Sequence, residues 1–341
     1  MKQLQLKPGK EGSILRKHPW IFSGALKDSQ SLTPGEWVQV VSHRGELLGI
    51  GHAGDGSIAV RIIAHWDDAW LGEAQDSAFA KPQLLTSLNA PIRTPDVEFW
   101  KGRLEKAWVM RRNLNYGPKT TTNAFRLVHG EGDLLPGLII DIYGDAAIIQ
   151  AHTHGMLAAV KNIAQALQQI PELELVTIYN KSASAMHLNA ADVDGFELGN
   201  QPSGKAIENH LPFWVNWQTG QKTGFFLDQR ENRALLRQRA AGKTVLNTFC
   251  YTGGFSIAAL AGHAQHVTSV DISATAMELT NKNVELYFAE NGNPNNQTHE
   301  SVTADVLQYF KNHLNTYDIV VLDAPAFAKS LNKKHQAVMG Y

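Results

Sequence analysis

The stretch TVLNTFCYTGGFSIAALAGHAQHVTSVD, residues Thr244–Asp271, decides the fold of this chain. It reads as a buried strand, a glycine turn, a helix that stops at Gly262 and a second buried strand that delivers Asp271. The spacing from Asn247 to Asp271 is close to the roughly 20 residues at which a nucleotide-binding βαβ unit presents an acid to a ribose. In open α/β sheets such ligands lie beyond the carboxyl ends of the strands. The stretch therefore predicts a site for a nucleoside-containing ligand at the turn.

Strands and helices continue to alternate downstream of this stretch. A strand is expected near Glu300–Ala304, and a further buried strand is expected at Tyr317–Leu322. The predicted strands end, in chain order, at Asn247, Asp271, Asp305 and Asp323. A row of polar residues at successive strand ends is where an α/β sheet holds a nucleoside-like ligand.

A second distinctive motif lies just upstream, at Lys222–Leu227. Two adjacent aromatic residues follow Gly224 there, and an aromatic face is suited to a flat adenine ring or a base. Asp228 and Glu231 have the spacing of a capping box at the start of the next helix.

Composition sets the broad class of the protein. The 341 residues are 43% hydrophobic and 18% charged, enough for two or three domains that each bury a core. The net charge of −1 confines any nucleic-acid surface to a local patch. A single cysteine excludes an internal disulfide and suits a reducing cytoplasm. No stretch of roughly 18 apolar residues occurs, so secretion and membrane spanning are not expected.

The N-terminal segment is the place where a basic patch and short strands coincide. Residues 1–68 contain β-prone runs separated by glycines, the pattern of a small barrel. Residues 69–95 give a poor signal and are interpreted as a linker, and a helix with a basic face is expected at 97–115. In the first 20 residues only Glu11 opposes the cations Lys2, Lys7, Lys10, Arg16 and Lys17.

Several segments carry a family resemblance: GQKTGFFLDQRENR at Gly220–Arg233, NTFCYTGGFS at Asn247–Ser256, SVDIS at Ser269–Ser273 and FRLVHGEGDLLPGLIIDIYGD at Phe125–Asp145. Together they resemble the bacterial 23S ribosomal RNA large-subunit cytosine-C5 methyltransferase I family, which depends on S-adenosyl-L-methionine. The N-terminal LKPGKEGSILRKHPWIFSGAL resembles the start of that family's PUA domain, an RNA-binding barrel. The likeness extends over nearly all of the chain except about residues 70–95.

The resemblance implies an α/β fold with an N-terminal PUA-like β-barrel, a central α+β domain and a C-terminal Rossmann-like methyltransferase sheet. The expected domains are residues 1–68, 69–200 and 201–341, and the last would hold only the first four strands of an incomplete sheet. The implied activity is transfer of a methyl group to carbon 5 of a cytosine in 23S ribosomal RNA, in the cytoplasm. Ribosomal RNA is the implied partner, no membrane or metal is expected, and a homodimer is left open.

The resemblance also implies roles for particular residues. The turn after the first strand would face the methionine and ribose parts of the cofactor, Asp271 would take the ribose hydroxyls, and Asp305 with Val306 would border the adenine. The expected cofactor-binding residues are Phe226, Asp228, Arg230, Asn247, Phe249, Tyr251, Gly253, Asp271, Ile272, Asp305 and Val306. The expected RNA contacts are Lys7, Lys10, Arg16 and Lys17, and Asp323 would contact the target base. In the acidic-proline-proline motif the first proline is replaced here by Ala324.

The chemistry of cytosine methylation asks for a cysteine thiolate beside the base. The single cysteine, Cys250, lies in the cofactor turn and is interpreted as a packing residue. In the family the attacking cysteine lies downstream of the segment that corresponds to Asp323–Pro325. We therefore expect the nucleophile beyond Tyr341, and a truncated chain that binds cofactor weakly and does not methylate cytosine.

Two other interpretations stay open at this point. Asp271 would also suit an NAD-dependent oxidoreductase, although the turn lacks the three glycines of the Gly-x-Gly-x-x-Gly fingerprint. The chain could also be an RNA-binding protein with a degenerate methyltransferase core. In either of the RNA-related interpretations, structured RNA is expected to bind through residues 1–68 and the 97–115 helix, with an affinity that falls with salt.

Overall fold

The computed structural model describes residues 1–28, 32–71, 94–313 and 317–325. The chain divides into two compact units. Unit 1 comprises Met1–Thr120 and Phe125–Gln201, so it includes both the N-terminal and the central segment. Unit 2 comprises Thr121–Ala124 and the described residues from Pro202 onward. None of the described helices combines the length and hydropathy that a bilayer span requires.

The N-terminal part of unit 1 is a sheet with the strand order β1-β3-β4-β5-β2. Alternating apolar residues of these strands point to one core, as at Val38, Val40 and Val60. The short strand β2 pairs only with β5 in this sheet, so it forms an edge. The elements are β1 (Lys2–Gln5), α1 (Gly12–Leu15), β2 (Trp20–Phe22), β3 (Trp37–Val41), β4 (Leu47–Ala53) and β5 (Ile58–His65). The predicted linker at 69–95 lies mostly outside the described residues.

The central part of unit 1 packs two long helices on a sheet with the order β10-β9-β8-β7-β6. Asp96 and Thr153 cap these helices by accepting hydrogen bonds from Phe99 N and Met156 N. The elements are α2 (Val97–Asn113), β6 (Ala124–His129), β7 (Leu138–Tyr143), β8 (Ala146–Ala151), α3 (His154–Gln168), β9 (Thr177–Asn180), α4 (Ala183–Met186), α5 (Ala190–Val193) and β10 (Gly195–Leu198).

The basic face of α2 is partly used inside unit 1. Arg111 forms a bidentate ion pair with Asp133, at 2.5 and 2.7 Å, and Arg103 pairs with Asp68. These two arginines of the predicted basic face are therefore engaged by carboxylates of unit 1. Asp133 follows β6 and Asp68 follows β5, and helix periodicity alone does not reveal partners that lie in other segments.

Unit 2 contains a parallel sheet with the order β15-β14-β13-β16, preceded by a β-hairpin that periodicity did not reveal. In the register, Asn247 pairs with Ser269 on one side and with Val321 on the other, so the carboxyl ends of the strands lie together. The elements are β11 (Ser203–Glu208), β12 (Leu211–Asn216), α6 (Arg230–Arg239), β13 (Thr244–Thr248), α7 (Gly254–Ala261), β14 (His266–Asp271), α8 (Ala274–Asn291), β15 (Thr298–Thr303), α9 (Val306–Asn312) and β16 (Ile319–Leu322).

The predicted capping box at Asp228 and Glu231 is wrong. Residues Leu227–Gln229 form a 3₁₀ turn that leads directly into α6, and Gln229 is the N-cap without a side-chain capping bond. Because the chain enters the helix through this turn, Asp228 is one residue too early to cap it, and its side chain is exposed.

Candidate functional site

The turn between β13 and α7 has an unusual backbone. Phe249, Tyr251 and Gly253 all have positive φ angles, 52°, 49° and 79°. For residues other than glycine this conformation costs on the order of 1 kcal/mol or more, and it is typical of ligand clamps. Backbone hydrogen bonds hold the turn, from Cys250 N to Val270 O at 3.2 Å and from Gly253 N to Cys250 O at 2.9 Å.

Asp271 ties this turn to the end of the next strand. One carboxylate oxygen accepts from Tyr251 N and the other accepts from Ser273 N, both at 2.9 Å. These bonds fix the carboxylate while each oxygen keeps a further lone pair for an outside donor. The neighbouring Ile272 exposes 70% of its surface. A fixed acceptor beside an exposed apolar side chain is an arrangement that can receive a hydroxyl-bearing ligand with a flat apolar part.

A buried network of hydrogen-bonded polar side chains lies beneath the turn. Asn247 is 1% exposed and donates from Nδ2 to Ser256 Oγ at 2.9 Å. Ser256 Oγ lies 2.6 Å from Ser269 Oγ, which lies 2.8 Å from His299 Nε2. Burial and the nearby His266 lower the pKa of His299 to about 4, so its imidazole is neutral at pH 7. The Asn247 side chain thus supports the turn from below.

Helix α8 braces the turn from the other side. Thr280 donates from Oγ1 to Tyr251 O and Asn283 donates from Nδ2 to Thr252 O, both at 2.9 Å. A Cβ added to Gly253 would lie 2.8 Å from Thr280 Cγ2, so glycine is required both for φ and for space. Sequence reasoning missed this bracing. Its available signal was the pair of buried polar residues, Thr280 and Asn283, on the helix face that points to the turn.

The upstream aromatic motif contacts the same turn. Tyr251 Oη accepts from Gln221 N at 2.8 Å and donates to Gly224 O at 3.2 Å, and burial raises the pKa of Tyr251 to about 12. The Phe226 ring meets the Tyr251 ring edge to face, with centroids 5.3 Å apart. Lys222 Nζ lies 4.4 Å from the centre of the Phe226 ring. The structure therefore brings the predicted residues Phe226 and Tyr251 together.

Two other predicted cofactor-binding residues, Arg230 and Asp228, lie in surroundings different from those of the aromatic pair. The Arg230 guanidinium lies 3.4 Å from Glu208 and donates to the carbonyl oxygen of Ala124 at 2.5 Å. Glu208 also receives a bidentate pair from Arg233, with both bonds at 2.7 Å. Arg230 is therefore part of a buried ion cluster, while Asp228 remains exposed to solvent.

A pocket of about 340 Å³ opens between the hairpin β11–β12 and α8. Tyr251, Thr252 and Ser273 form the wall that it shares with the turn. Lys282 and Trp214 also line this pocket, and Lys282 Nζ lies 3.6 Å from the centre of the Trp214 ring. The turn therefore has open space on its hairpin side.

The remaining strand-end residues differ in exposure. Asp305 is exposed and caps α9 by accepting from Gln308 N at 2.9 Å, whereas Val306 is buried against Leu246 and Val270. Asp323 follows β16 and is exposed. The parallel register therefore places three carboxylates, on Asp271, Asp305 and Asp323, at the same end of the sheet.

Cys250 is in an environment that disfavours a thiolate. It is 7% exposed, and its Sγ lies 3.4 Å from the sulfur of Met277. Burial, followed by the charge of Asp271, raises the pKa of the Cys250 thiol to about 12. Nucleophilic cysteines need the opposite conditions, a lowered pKa and access to the substrate. The surroundings favour packing over nucleophilic chemistry.

The predicted RNA contacts lie in unit 1. Lys7 donates from Nζ to Gly24 O at 3.0 Å, and Lys17 pairs with Asp67 while its ammonium lies 4.3 Å from the centre of the Trp66 ring. Lys10 and Arg16 are exposed.

Comparison with known proteins is consistent with this geometry. A model of the S-adenosylmethionine-dependent methyltransferase family matches residues 161–337, and a model of the PUA-like domain matches residues 4–65. The chain is 32% identical to ribosomal RNA large subunit methyltransferase I of Cronobacter sakazakii, over 99% of the chain and 80% of that protein. The protein of that name from an Escherichia coli strain is 33% identical, with the same coverage.

Solved structures show the same architecture. A protein from Streptococcus mutans assigned as a SAM-dependent methyltransferase superposes with a TM-score of 0.71 and 26% identity, over 99% of this chain and 81% of that one. The structure of SMU.776, a protein assigned as a methyltransferase and solved in complex with SAH, superposes with a TM-score of 0.72 and 26% identity. The match covers 98% of this chain and 78% of that one.

These matches confirm the family resemblance and the α/β fold with a PUA-like part and a methyltransferase part. They also confirm S-adenosylmethionine as the cofactor and decide against the NAD-dependent alternative. The chain belongs to the S-adenosylmethionine-dependent ribosomal RNA large subunit methyltransferase I family.

Proposed function

We propose that the chain recognises 23S ribosomal RNA and presents S-adenosylmethionine to carbon 5 of one cytosine. The observation that carries this proposal is the strained turn at 249–253 held by Asp271, together with the exposed carboxylates at the same end of the sheet. The names of the relatives support ribosomal RNA as the substrate. A ribosomal RNA substrate implies a cytoplasmic place of action.

The proposed roles follow from exposure and orientation. Asp271 would accept hydrogen bonds from the ribose, with Ile272 against the adenine. Asp305 would border the same ring, and Val306 would support it from the core. Phe226 and Tyr251 would close the methionine side. Because the structure gives Asn247 and Arg230 internal partners, their proposed contribution is to position the turn and α6.

Methylation at carbon 5 of cytosine requires activation of the ring, since that carbon is a poor nucleophile. A thiolate adds to carbon 6, carbon 5 takes the methyl group, a base removes the proton from carbon 5 and the thiolate leaves. The cofactor supplies the methyl group as an electrophile. Asp323, exposed after β16, would hold the cytosine edge by accepting from its exocyclic amine.

Cys250 does not fit the nucleophile's part in this scheme. It is buried against Met277 and its pKa is raised to about 12. No other cysteine occurs in these 341 residues. We therefore propose that a polypeptide of this sequence binds the cofactor and the RNA without transferring the methyl group to cytosine.

Bisulfite probing of 23S ribosomal RNA tests the target base. Bisulfite adds to carbon 6 of unpaired cytosine, so a cytosine that the protein extrudes becomes more reactive. We expect one cytosine to gain reactivity when the wild-type chain and S-adenosylmethionine are present, and Asp323→Ala to reduce that gain. A footprint centred on a purine or a uracil would contradict the cytosine assignment.

A tritium-release assay tests the inactivity of this polypeptide. RNA labelled with tritium at carbon 5 of cytosine should release no label, because no thiolate is available to start the reaction. Release that disappears in Cys250→Ala would identify Cys250 as the nucleophile and contradict the proposal.

The burial of Cys250 also favours a second candidate function. In this alternative the chain is an RNA-binding protein with a degenerate methyltransferase core. The two candidates differ in cofactor binding. RNA binding without any measurable affinity for S-adenosylmethionine would favour the second.

A further inference from the structure

An edge strand of unit 1 carries an alternating row of rings. His18, Trp20 and Phe22 are two residues apart, so their side chains share one face of β2 and its approach. The His18 and Trp20 ring centroids are 5.8 Å apart and those of Trp20 and Phe22 are 6.4 Å apart, with interplanar angles of 80° and 88°. Perpendicular rings do not stack on one another, so ring faces remain for another flat group.

Phe22 is exposed, Trp20 is half-buried, and both side chains are held in place by their surroundings. Phe22 exposes 49% of its surface although it belongs to a hydrogen-bonded strand. Trp20 is anchored because its indole N–H donates to Glu131 Oε1 at 2.9 Å. An exposed aromatic side chain on a rigid strand costs little further entropy to order when it binds.

Cations lie at both ends of this strand. Upstream, Lys17 precedes His18, and Lys17, Arg103 and Lys106 line a pocket of about 430 Å³. Asp67 and Asp68 in that lining pair with Lys17 and Arg103, so Lys106 leaves the pocket net positive. Downstream, the Lys7 ammonium lies 3.0 Å from Gly24 O, in the turn that follows Phe22.

We propose that β2 binds an unpaired stretch of RNA, with bases stacked on Trp20 and Phe22 and phosphates near Lys7 and Lys17. Stacking platforms between cations are the recurring way in which proteins hold single-stranded nucleic acid, since every base has a flat face. The inference rests on the proposed function, which supplies RNA as the substrate, and it deepens that function by naming unpaired nucleotides as the feature that this surface recognises.

Fluorescence anisotropy with labelled oligouridylate and with a labelled RNA duplex tests the inference. The wild-type chain should prefer oligouridylate. Phe22→Leu keeps an apolar side chain and removes the ring, and it should weaken oligouridylate binding about tenfold or more. Phe22→Tyr should retain the wild-type affinity. Phe310→Leu, a matched change at an exposed phenylalanine of unit 2, should have no effect.

The outcomes separate this inference from the proposed function. If the wild-type chain binds neither RNA, both fail together. If it binds RNA but prefers the duplex, or if Phe22→Leu binds as tightly as wild type, only the stacking inference fails. Sedimentation that shows self-association through Phe22, with unchanged RNA affinity in Phe22→Leu, would assign the rings to a contact between copies and overturn the inference.

Discussion

The cofactor turn of unit 2 and the aromatic edge strand of unit 1 recognise their proposed ligands in opposite ways. In the turn, positive φ angles and the Asp271 carboxylate fix backbone groups, and most of the supporting side chains are buried. In the edge strand the backbone pairs with β5 as a strand with a register shift between Ile21 and Phe22, and the Phe22 ring and the ammonium groups that would bind are exposed.

This difference predicts which property each kind of mutation should change. A small ligand with a fixed shape can be held by a preformed backbone, so changes beneath the turn should alter both folding and cofactor affinity. RNA is bound through charges and flat faces, so changes on β2 should alter RNA affinity and leave the fold intact.

The largest effect is expected from Gly253→Ala. The new Cβ would meet Thr280 Cγ2 at 2.8 Å in a backbone with φ of 79°, so we expect a loss of about 2–4 kcal/mol in the free energy of unfolding. Gly242→Ala is the matched control, with φ of 70° and no atom within 4 Å of its Cβ, and should cost about 1 kcal/mol. Urea unfolding curves measure both. Equal losses would show that Thr280 does not confine the turn.

A pH effect of similar size is expected in unit 1. His52 is 2% exposed and packs against Gly155, and burial, with a smaller contribution from Arg61, lowers its pKa from 6.5 to about 3. Below pH 6.5 His52 therefore binds a proton in the unfolded chain but stays neutral in the folded chain. The contribution of His52 to the free energy of unfolding is highest above pH 6.5 and falls by about 1.4 kcal/mol per pH unit as the pH is lowered towards 3.

Urea midpoints between pH 7 and pH 5 measure this dependence. His52→Gln should make the dependence shallower by the share of one proton and leave the part due to other buried histidines such as His299, whereas His187→Asn, at an exposed position where asparagine also accepts the positive φ, should leave it unchanged. An unaltered pH dependence in His52→Gln would show that His52 does not contribute to it.

A smaller effect is expected at Cys250. Removing a buried thiol that packs against Met277 should cost about 1 kcal/mol of stability in Cys250→Ala, with little change in cofactor affinity. The thiol of the folded wild type should react with a thiol reagent only after urea is added, because burial raises its pKa to about 12. Rapid labelling without urea would contradict the packing role.

The smallest effect is expected from Lys7→Gln. It should lower RNA affinity by a few-fold and reduce the slope of log affinity against log salt by about 0.7, the value for one phosphate contact on a single strand. Affinity for S-adenosylmethionine should not change. An unchanged salt slope would remove Lys7 from the RNA surface.

Much of the fold could be predicted from the sequence. The stretch 244–271 has strong apolar strands, a glycine at the turn and a glycine at the helix end, and the structure follows it closely as β13, α7 and β14. The hairpin β11–β12 was missed, since its core residues Ala206, Phe213 and Val215 are spread among polar residues. The Asp228 capping prediction failed because a local pattern could not show the 3₁₀ turn at its start.

The candidate site could be predicted less completely. The positions of Asp271 and Tyr251 followed from strand ends and from a motif. The burial of Asn247 and its chain to Ser256, Ser269 and His299 depend on strands that are distant in sequence and adjacent in the sheet. Partners of that kind are set by sheet register, which periodicity along a single segment does not encode.

Calorimetric titration with S-adenosylmethionine tests the central claim most directly. The wild-type chain should bind one cofactor, and Asp271→Ala should weaken binding about 30-fold or more, since it removes the proposed ribose acceptor and its bonds to Tyr251 N in the turn and to Ser273 N at the start of α8. Asp192→Ala, a change at an exposed carboxylate of unit 1, should bind as wild type, and RNA affinity should be equal in all three. Equal affinity of wild type and Asp271→Ala for S-adenosylmethionine would contradict the account.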